Sequence, residues 1–176
     1  GTDTGIAVAE MGVQVHGGMG FIEETGAAQY ARDVRVTAIY EGTNGIQAMD
    51  LVGRKMMDGG EAAYRLLDEI QAEAEAAQGA LPDLAQAVSG ATKTLRETTE
   101  WMVAQDMNDR FAGAVPYLKA FARVLGAYFH LKSAMADAKR VPLAQVHILR
   151  LLPEHMGLCT HARAGAEGLY ALSVDD

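Results

Sequence analysis

Two short stretches concentrate residues whose chemistry goes beyond packing. The first is Gln14-Val15-His16-Gly17-Gly18-Met19-Gly20-Phe21. A glycine loop after a helix can turn backbone N–H groups toward an anion such as a phosphate, and it lets a flat ligand approach the main chain closely. The second is Ile39-Tyr40-Glu41-Gly42-Thr43-Asn44-Gly45-Ile46-Gln47. A lone carboxylate here follows two bulky apolar residues and precedes a glycine. Burial raises a carboxylate's pKa and makes it a usable general base near neutral pH, and Gly42 would leave room for a substrate beside it. Each stretch also has an architectural reading. The glycines can be a helix-ending turn between packed helices, and Glu41 can be a first-turn acid that complements the helix dipole.

Other chemistry is thin. His130, His147, His155 and His161 are scattered with no carboxylate at ligand spacing, so no metal site is expected. The single cysteine, Cys159, excludes an internal disulfide and reads as a core thiol. Trp101, Met102, Phe121, Tyr128 and Phe129 read as helix packing and not as a cofactor pocket. Lys plus Arg is 15 and Asp plus Glu is 23, a net charge of −8, which argues against nucleic acid as a partner. No apolar run approaches the roughly 20 residues of a membrane span. There is no signal-peptide pattern, so a cytoplasmic location is expected. The chain opens Gly1-Thr2-Asp3 without Met and is expected to be part of something longer.

The elements that must position these residues are helical. Apolar spacing runs in threes and fours nearly everywhere, only 4 prolines are present, and no stretch alternates as a strand would. The chain is therefore expected to be all-α. Residues 1–60 hold 12 of the 19 glycines, so this third has special turns to build. Helices are expected at about 3–14, 24–34 and 43–57, with a glycine loop at 16–20 and an irregular piece around 38–40. Thr25 or Thr43 is positioned to cap the helix next to it. A domain boundary is expected at Asp58-Gly59-Gly60, dividing the chain into 1–59 and 60–176. Beyond it the pattern predicts an up-and-down four-helix bundle. Its first helix, about 61–78, ends at Gly79 with Ala63, Leu67, Ile70, Ala74 and Ala77 on one stripe. The second begins near Pro82 and carries Leu84, Val88, Ala91, Leu95, Thr98 and Met102. The third, about 110–139, is capped by Asn108 or Asp109, with Leu118, Phe121, Leu125, Tyr128, Leu131 and Met135 inward. The fourth, about 143–171, is broken near Leu152 by Pro153.

Taken together, the motifs say more than either does alone. Gln14, Gly17, Gly18, Gly20 and Phe21, then Arg32-Asp33, then Ile39-Tyr40-Glu41-Gly42-Thr43 resemble the C-terminal end of the acyl-CoA dehydrogenase family. The resemblance covers about residues 3–57. It implies an FAD enzyme that desaturates an acyl-CoA thioester between its α and β carbons. By the resemblance, Glu41 is the base that removes the α proton while hydride passes to the flavin, and Gly42 touches the thioester. Thr43, Asn44 and Gly45 lie against FAD. Gln14, Val15, His16, Gly17 and Gly18 contact the ADP half of FAD, usually the one held mainly by the neighbouring subunit. Where many members have a small polar residue and Gln after the Thr, this chain has Asn44-Gly45. Arg32 and Asp33 match a structural pair. The resemblance further implies an electron-transferring flavoprotein as acceptor and a homo-oligomer. The added helical domain after residue 60 looks like the branch that includes 3-methylmercaptopropionyl-CoA dehydrogenases. This piece alone is expected to be inactive. The rival expectation is a non-catalytic helical interaction or oligomerisation module that keeps the motif as packing.

Overall fold

Helix-favouring residues at three-and-four spacing form helices wherever glycine and proline permit, and no strand occurs among the described residues. The structure is a computed structural model that describes residues 1–173, without the side chain of Tyr170. The all-α expectation holds. The chain divides into two compact units, Gly1–Gln47 and the remainder from Ala48 onward.

The first unit holds α1 (Thr2–Val15), α2 (Gly18–Phe21), α3 (Ala27–Arg35) and the first turn of α4 (Asn44–Val52). α1, α2 and α3 pack on one another. The expected glycine loop is tighter than the sequence suggested. His16 closes α1, Gly17 reverses the chain at φ +59°, and helix resumes at Gly18. Thr25 does not cap α3. Its hydroxyl donates to the Met19 carbonyl at 2.6 Å, and Gly26 takes the cap position. Thr43 does cap: its Oγ1 accepts from Ile46 N at 3.4 Å. The helix it starts is shorter than expected. It ends at Val52, Gly53 leaves helical geometry at φ −87° and ψ −88°, and Arg54–Met56 is a single 3-10 turn.

The second unit holds α5 (Glu61–Ala77), α6 (Pro82–Ala104), α7 (Met107–Ala112), α8 (Ala114–Ala136), α9 (Val141–Val146), α10 (His155–Ala162) and α11 (Glu167–Tyr170). α6 and α8 touch each other, each touches α10, and each touches α5. The expected inward stripe of α6 is buried throughout, as are Leu67, Ile70, Ala74 and Ala77 of α5, whereas Ala63, at the start of the expected α5 stripe, is only partly buried. Each fully buried Leu or Ile contributes about 1.5–3 kcal/mol.

α8 bears out the sequence reading at Tyr128 and Leu131 and corrects it elsewhere. Its other inward residues include Tyr117, Ala120, Val124 and Ala134, each one position before an apolar side chain expected to face inward. Leu118, Phe121 and Leu125 lie on the flank, only partly buried, and Met135 is exposed. Small alanines face the neighbours because helices approach closely there, and the larger residues seal the edges. The cap is corrected too. Asp106, not Asn108 or Asp109, accepts from Asn108 N and Asp109 N at 2.9 and 3.1 Å. Asp109 instead accepts from Ala166 N at 2.8 Å. The expected single helix over 110–139 is interrupted at Gly113. A Cβ there would stand 2.3 Å from the Ala162 carbonyl oxygen, so glycine lets the end of α10 close on this junction.

Two helix ends also shift. α5 stops at Ala77, with Gln78 as its cap, one residue before Gly79 is reached. The last segment breaks where Pro153 predicted, through a π turn at His147–Leu151 and a 3-10 turn at Leu152–Glu154. It ends at Ala162 instead of continuing to 171.

Candidate functional site

The Glu41 stretch is a tight turn between the 3-10 turn Val36–Ala38 and α4. Glu41 has φ +54°, the one non-glycine residue in left-handed geometry among the described residues, and Gly42 follows at φ +95°. A side chain in that region costs roughly 1–2 kcal/mol. The turn is braced from α4. Gln47 N donates to the Thr43 carbonyl at 2.9 Å, and Gln47 Nε2 donates to the Glu41 carbonyl at 3.1 Å. Glu41, Gly42 and Thr43 are exposed, as are Ile39 and Tyr40 before them. The burial the sequence suggested for Glu41 is therefore not supplied by this chain.

Asn44 is fastened differently. Its Nδ2 donates to Asp3 Oδ1 at 2.6 Å, and its Oδ1 accepts from the Thr2 hydroxyl at 2.9 Å. Both ends of the side-chain amide thus tie the start of α4 to the start of α1. Asn44 and Gly45 can still offer main chain to a ligand.

The glycine stretch sits at the other end of α1. Gln14, Val15, His16, Gly17 and Gly18 are all exposed. His16 Nδ1 lies 2.8 Å from the Gly12 carbonyl, and Gly17 N donates to the Gln14 carbonyl at 3.0 Å. A Cβ built on Gly17 or Gly18 would meet nothing within 4 Å, so the main chain there is open to an approaching group. α1 rises about 1.5 Å per residue, which separates this turn from the Asn44 end by about 20 Å. The structure therefore places the candidate residues in two groups, not one. Nearby, Arg32 donates to Gln29 Oε1 at 2.8 Å and to Glu23 at 3.3 Å, while Gln29 donates to Asp33 at 2.6 Å, a surface network on and beside α3.

Between α1 and α3 runs an open apolar groove of about 610 Å³, with Val8, Ala9, Gly12, Tyr30 and Val34 among its walls. In the second unit, Cys159 is fully buried, and burial pushes its thiol pKa up. Met102 and Tyr128 are core, with Trp101 and Phe121 partly buried against that core, but Phe129 is exposed. No group of three or more metal-binding side chains converges among the described residues. No helix there is long and apolar enough to cross a membrane.

Sequence reading missed two features. Gln47 reaches back to Glu41, six residues away, which no helical spacing announces. His130 and His147 stack with ring centroids 4.3 Å apart, although they lie on separate helical segments.

Residues 1–57 match the family model "Acyl-CoA dehydrogenase, C-terminal domain", and residues 66–173 match "Acetyl-CoA dehydrogenase C-terminal like". A 3-methylmercaptopropionyl-CoA dehydrogenase of Ruegeria pomeroyi is 47% identical over 124 residues, covering 66% of this chain and 21% of the relative. A butyryl-CoA dehydrogenase of Syntrophomonas wolfei is 49% identical over 59 residues, 33% of this chain and 10% of the relative. The mitochondrial short-chain specific acyl-CoA dehydrogenase of Rattus norvegicus is 40% identical over 52 residues, 30% of this chain and 13% of the relative. The chain thus spans about a fifth or less of the length of these relatives. With one domain of the family matched before residue 58 and a second across most of the remainder, the chain belongs to the acyl-CoA dehydrogenase family.

Proposed function

We propose that this chain is the C-terminal portion of a flavin-dependent acyl-CoA dehydrogenase, with Glu41 as the base that takes the α proton of the thioester. The observation that carries this reading is the Glu41-Gly42 turn, in a chain of this family. Consecutive left-handed residues at φ +54° and +95° put a carboxylate beside a main chain with no side chain of its own. A substrate carbonyl can approach Gly42 while its α carbon faces Glu41. A base acts only within hydrogen-bond reach of the proton it takes, so this adjacency is what the reaction needs.

FAD, when bound, supplies the acceptor for the hydride that leaves the β carbon. The residues here fit a share of that group. The open main chain at Gly17 and Gly18, with the exposed side chains of Gln14 and His16, suits the polar ADP half, and Val15 offers an apolar contact. Thr43 and the main chain of Asn44 and Gly45 suit the other group, since the Asn44 amide is already held by Thr2 and Asp3. By the resemblance to the family, the two groups serve different flavins, as in a homo-oligomer where each subunit completes its neighbour's site. We further propose that residues 1–59 are the end of the catalytic helical domain and 60–176 an added up-and-down four-helix bundle. The acyl-CoA is the substrate, and an electron-transferring flavoprotein is the acceptor.

The test uses the intact enzyme carrying this chain. Glu41→Gln keeps the shape and loses the base. It is expected to retain FAD and to bind acyl-CoA, while flavin bleaching on mixing slows by a factor of about 1,000 or more. Bleaching at the wild-type rate removes Glu41 from the mechanism.

A further inference from the structure

We infer that Gln47 is a positioning residue for Glu41: its side-chain amide clamps the Glu41-Gly42 turn and fixes the direction in which the carboxylate leaves the main chain. The inference rests on the reading of Glu41 as the base. Left-handed geometry is disfavoured for a residue with a Cβ, so a non-glycine residue at φ +54° needs something to hold it. The Glu41 carbonyl accepts from Gln47 Nε2 at 3.1 Å. The main-chain N–H of Gln47 donates to the Thr43 carbonyl at 2.9 Å, so the clamp is anchored in the first turn of α4. Gly42 completes the arrangement. A Cβ on it would stand 3.0 Å from Gln47 Nε2 and 3.6 Å from Ile46 Cγ2, so a side chain there would crowd the amide as it crosses the turn. The start of α4 is itself tied by Asn44 to Thr2 and Asp3.

Chemistry gives this geometry its importance. The φ and ψ of Glu41 set where its Cβ points. Without the clamp the residue can relax toward the right-handed region, and the carboxylate swings away from the space beside Gly42. A misplacement of about 1 Å can cost on the order of a hundredfold in rate. Gln47 touches no reacting atom in this scheme and acts through the main chain of Glu41.

The experiment compares Gln47→Leu, Gln47→Lys and Glu41→Gln in the intact flavoenzyme. Gln47→Leu keeps the bulk and loses the donor. It is expected to slow flavin reduction at saturating acyl-CoA by about tenfold or more, with KM changed by less than about threefold. Gln47→Lys, which keeps a donor on a long stem, is expected to recover most of that rate. Hydrogen exchange is expected to rise at residues 42–47 of Gln47→Leu and nowhere else. Wild-type reduction by Gln47→Leu, beside an inactive Glu41→Gln, overturns the positioning role and leaves the base reading intact. Wild-type reduction by Glu41→Gln overturns the base reading, and the positioning role falls with it. Should Gln47→Leu fail to fold, Gln47→Lys against Gln47→Asn carries the same contrast, one keeping the reach and the other losing it.

Discussion

The two units are built from the same kind of helix and differ in what covers it. From Gly1 to Gln47, only Gly20 and Ala27 are buried. α1 has no buried residue although it carries Ile6, Val8, Met11, Val13 and Val15. Beyond Ala48, α5, α6, α8 and α10 enclose a core that includes Leu67, Ile70, Leu95, Tyr117, Val124 and Leu131, all without solvent exposure. The first unit holds every candidate for chemistry and almost no core. The second holds the core and no candidate site. An apolar stripe records that a helix face is to be covered but not which chain segment covers it. The apolar faces of the first unit, which holds the candidate residues, are left largely uncovered by the described residues.

Hydrogen exchange of this chain is the largest test of that contrast. Amides in α6 and α8 can exchange only by opening a core that contributes most of the domain's stability, whereas those in α1 and α3 need only local opening. Protection in the second unit is expected to exceed that in the first by about a thousandfold or more. Equal protection would mean that the first unit is stabilised by something other than its own buried surface.

Truncation sharpens the same difference. Leu95→Ala opens a cavity at a fully buried position, and is expected to lower stability by about 2–5 kcal/mol in a urea melt. Val8 is 61% exposed, so Val8→Ala is expected to stay within about 0.5 kcal/mol. A large loss at Val8 would show that α1 is covered after all.

How far the sequence can be read follows the same division. The α6 stripe from Leu84 to Met102 is legible because one helix face meets neighbours on a regular period. In α8 Tyr128 and Leu131 are read correctly, while Leu118, Phe121, Leu125 and Met135 each lie one position beyond the buried residue, in part because buried alanines carry little hydropathic signal. The break at Pro153 is legible because proline lacks an N–H. The interruption at Gly113 has a proline behind it too, since Pro116 lacks the N–H that a continuous helix would direct to the Ala112 carbonyl; what is not legible is the need for glycine there, which comes from the Ala162 carbonyl far along the chain. At the site, the order of Gln14, Gly17, Gly18, Glu41, Gly42 and Thr43 carries the family. Neither the Gln47 brace nor the Asn44 tie is legible, since both depend on where side chains fold back.

Polar groups inside the core provide a finer test. The Thr99 hydroxyl donates to the Leu95 carbonyl at 2.8 Å, so its one proton is used, and Tyr117 Oη, 2.8 Å away, must donate to it. Burial drives the Tyr117 pKa far up and keeps the phenol protonated. Thr99→Val strands that buried O–H and is expected to cost about 1–3 kcal/mol. Tyr117→Phe leaves Thr99 satisfied and is expected to cost less, about 0.5–1.5 kcal/mol. The reverse order in thermal melts would mean that the proton runs the other way.

The smallest expected effect is a pH slope from the stacked histidines. Burial lowers the pKa of His147 below its ordinary value of 6.5, and the neighbouring His130 lowers it further. Its Nε2 is buried without a hydrogen-bond partner, and a Cβ on Gly126 would stand 2.8 Å from it, so there is little room for a compensating water. Well above pH 6.5 His147 is neutral in folded and unfolded chains alike and has no effect on stability. As the pH falls through that value the unfolded chain takes up the proton first, so stability declines. The decline levels off below the lower folded pKa. Part of His147 faces solvent, which keeps the slope shallow. The check is a set of urea midpoints from about pH 8 down to about pH 5 for wild type and His147→Asn. The two curves are expected to run parallel well above pH 6.5 and to separate as the pH falls through it, with the wild type falling faster. Parallel curves throughout would mean that the ring is protonated as readily in the folded chain as in the unfolded one.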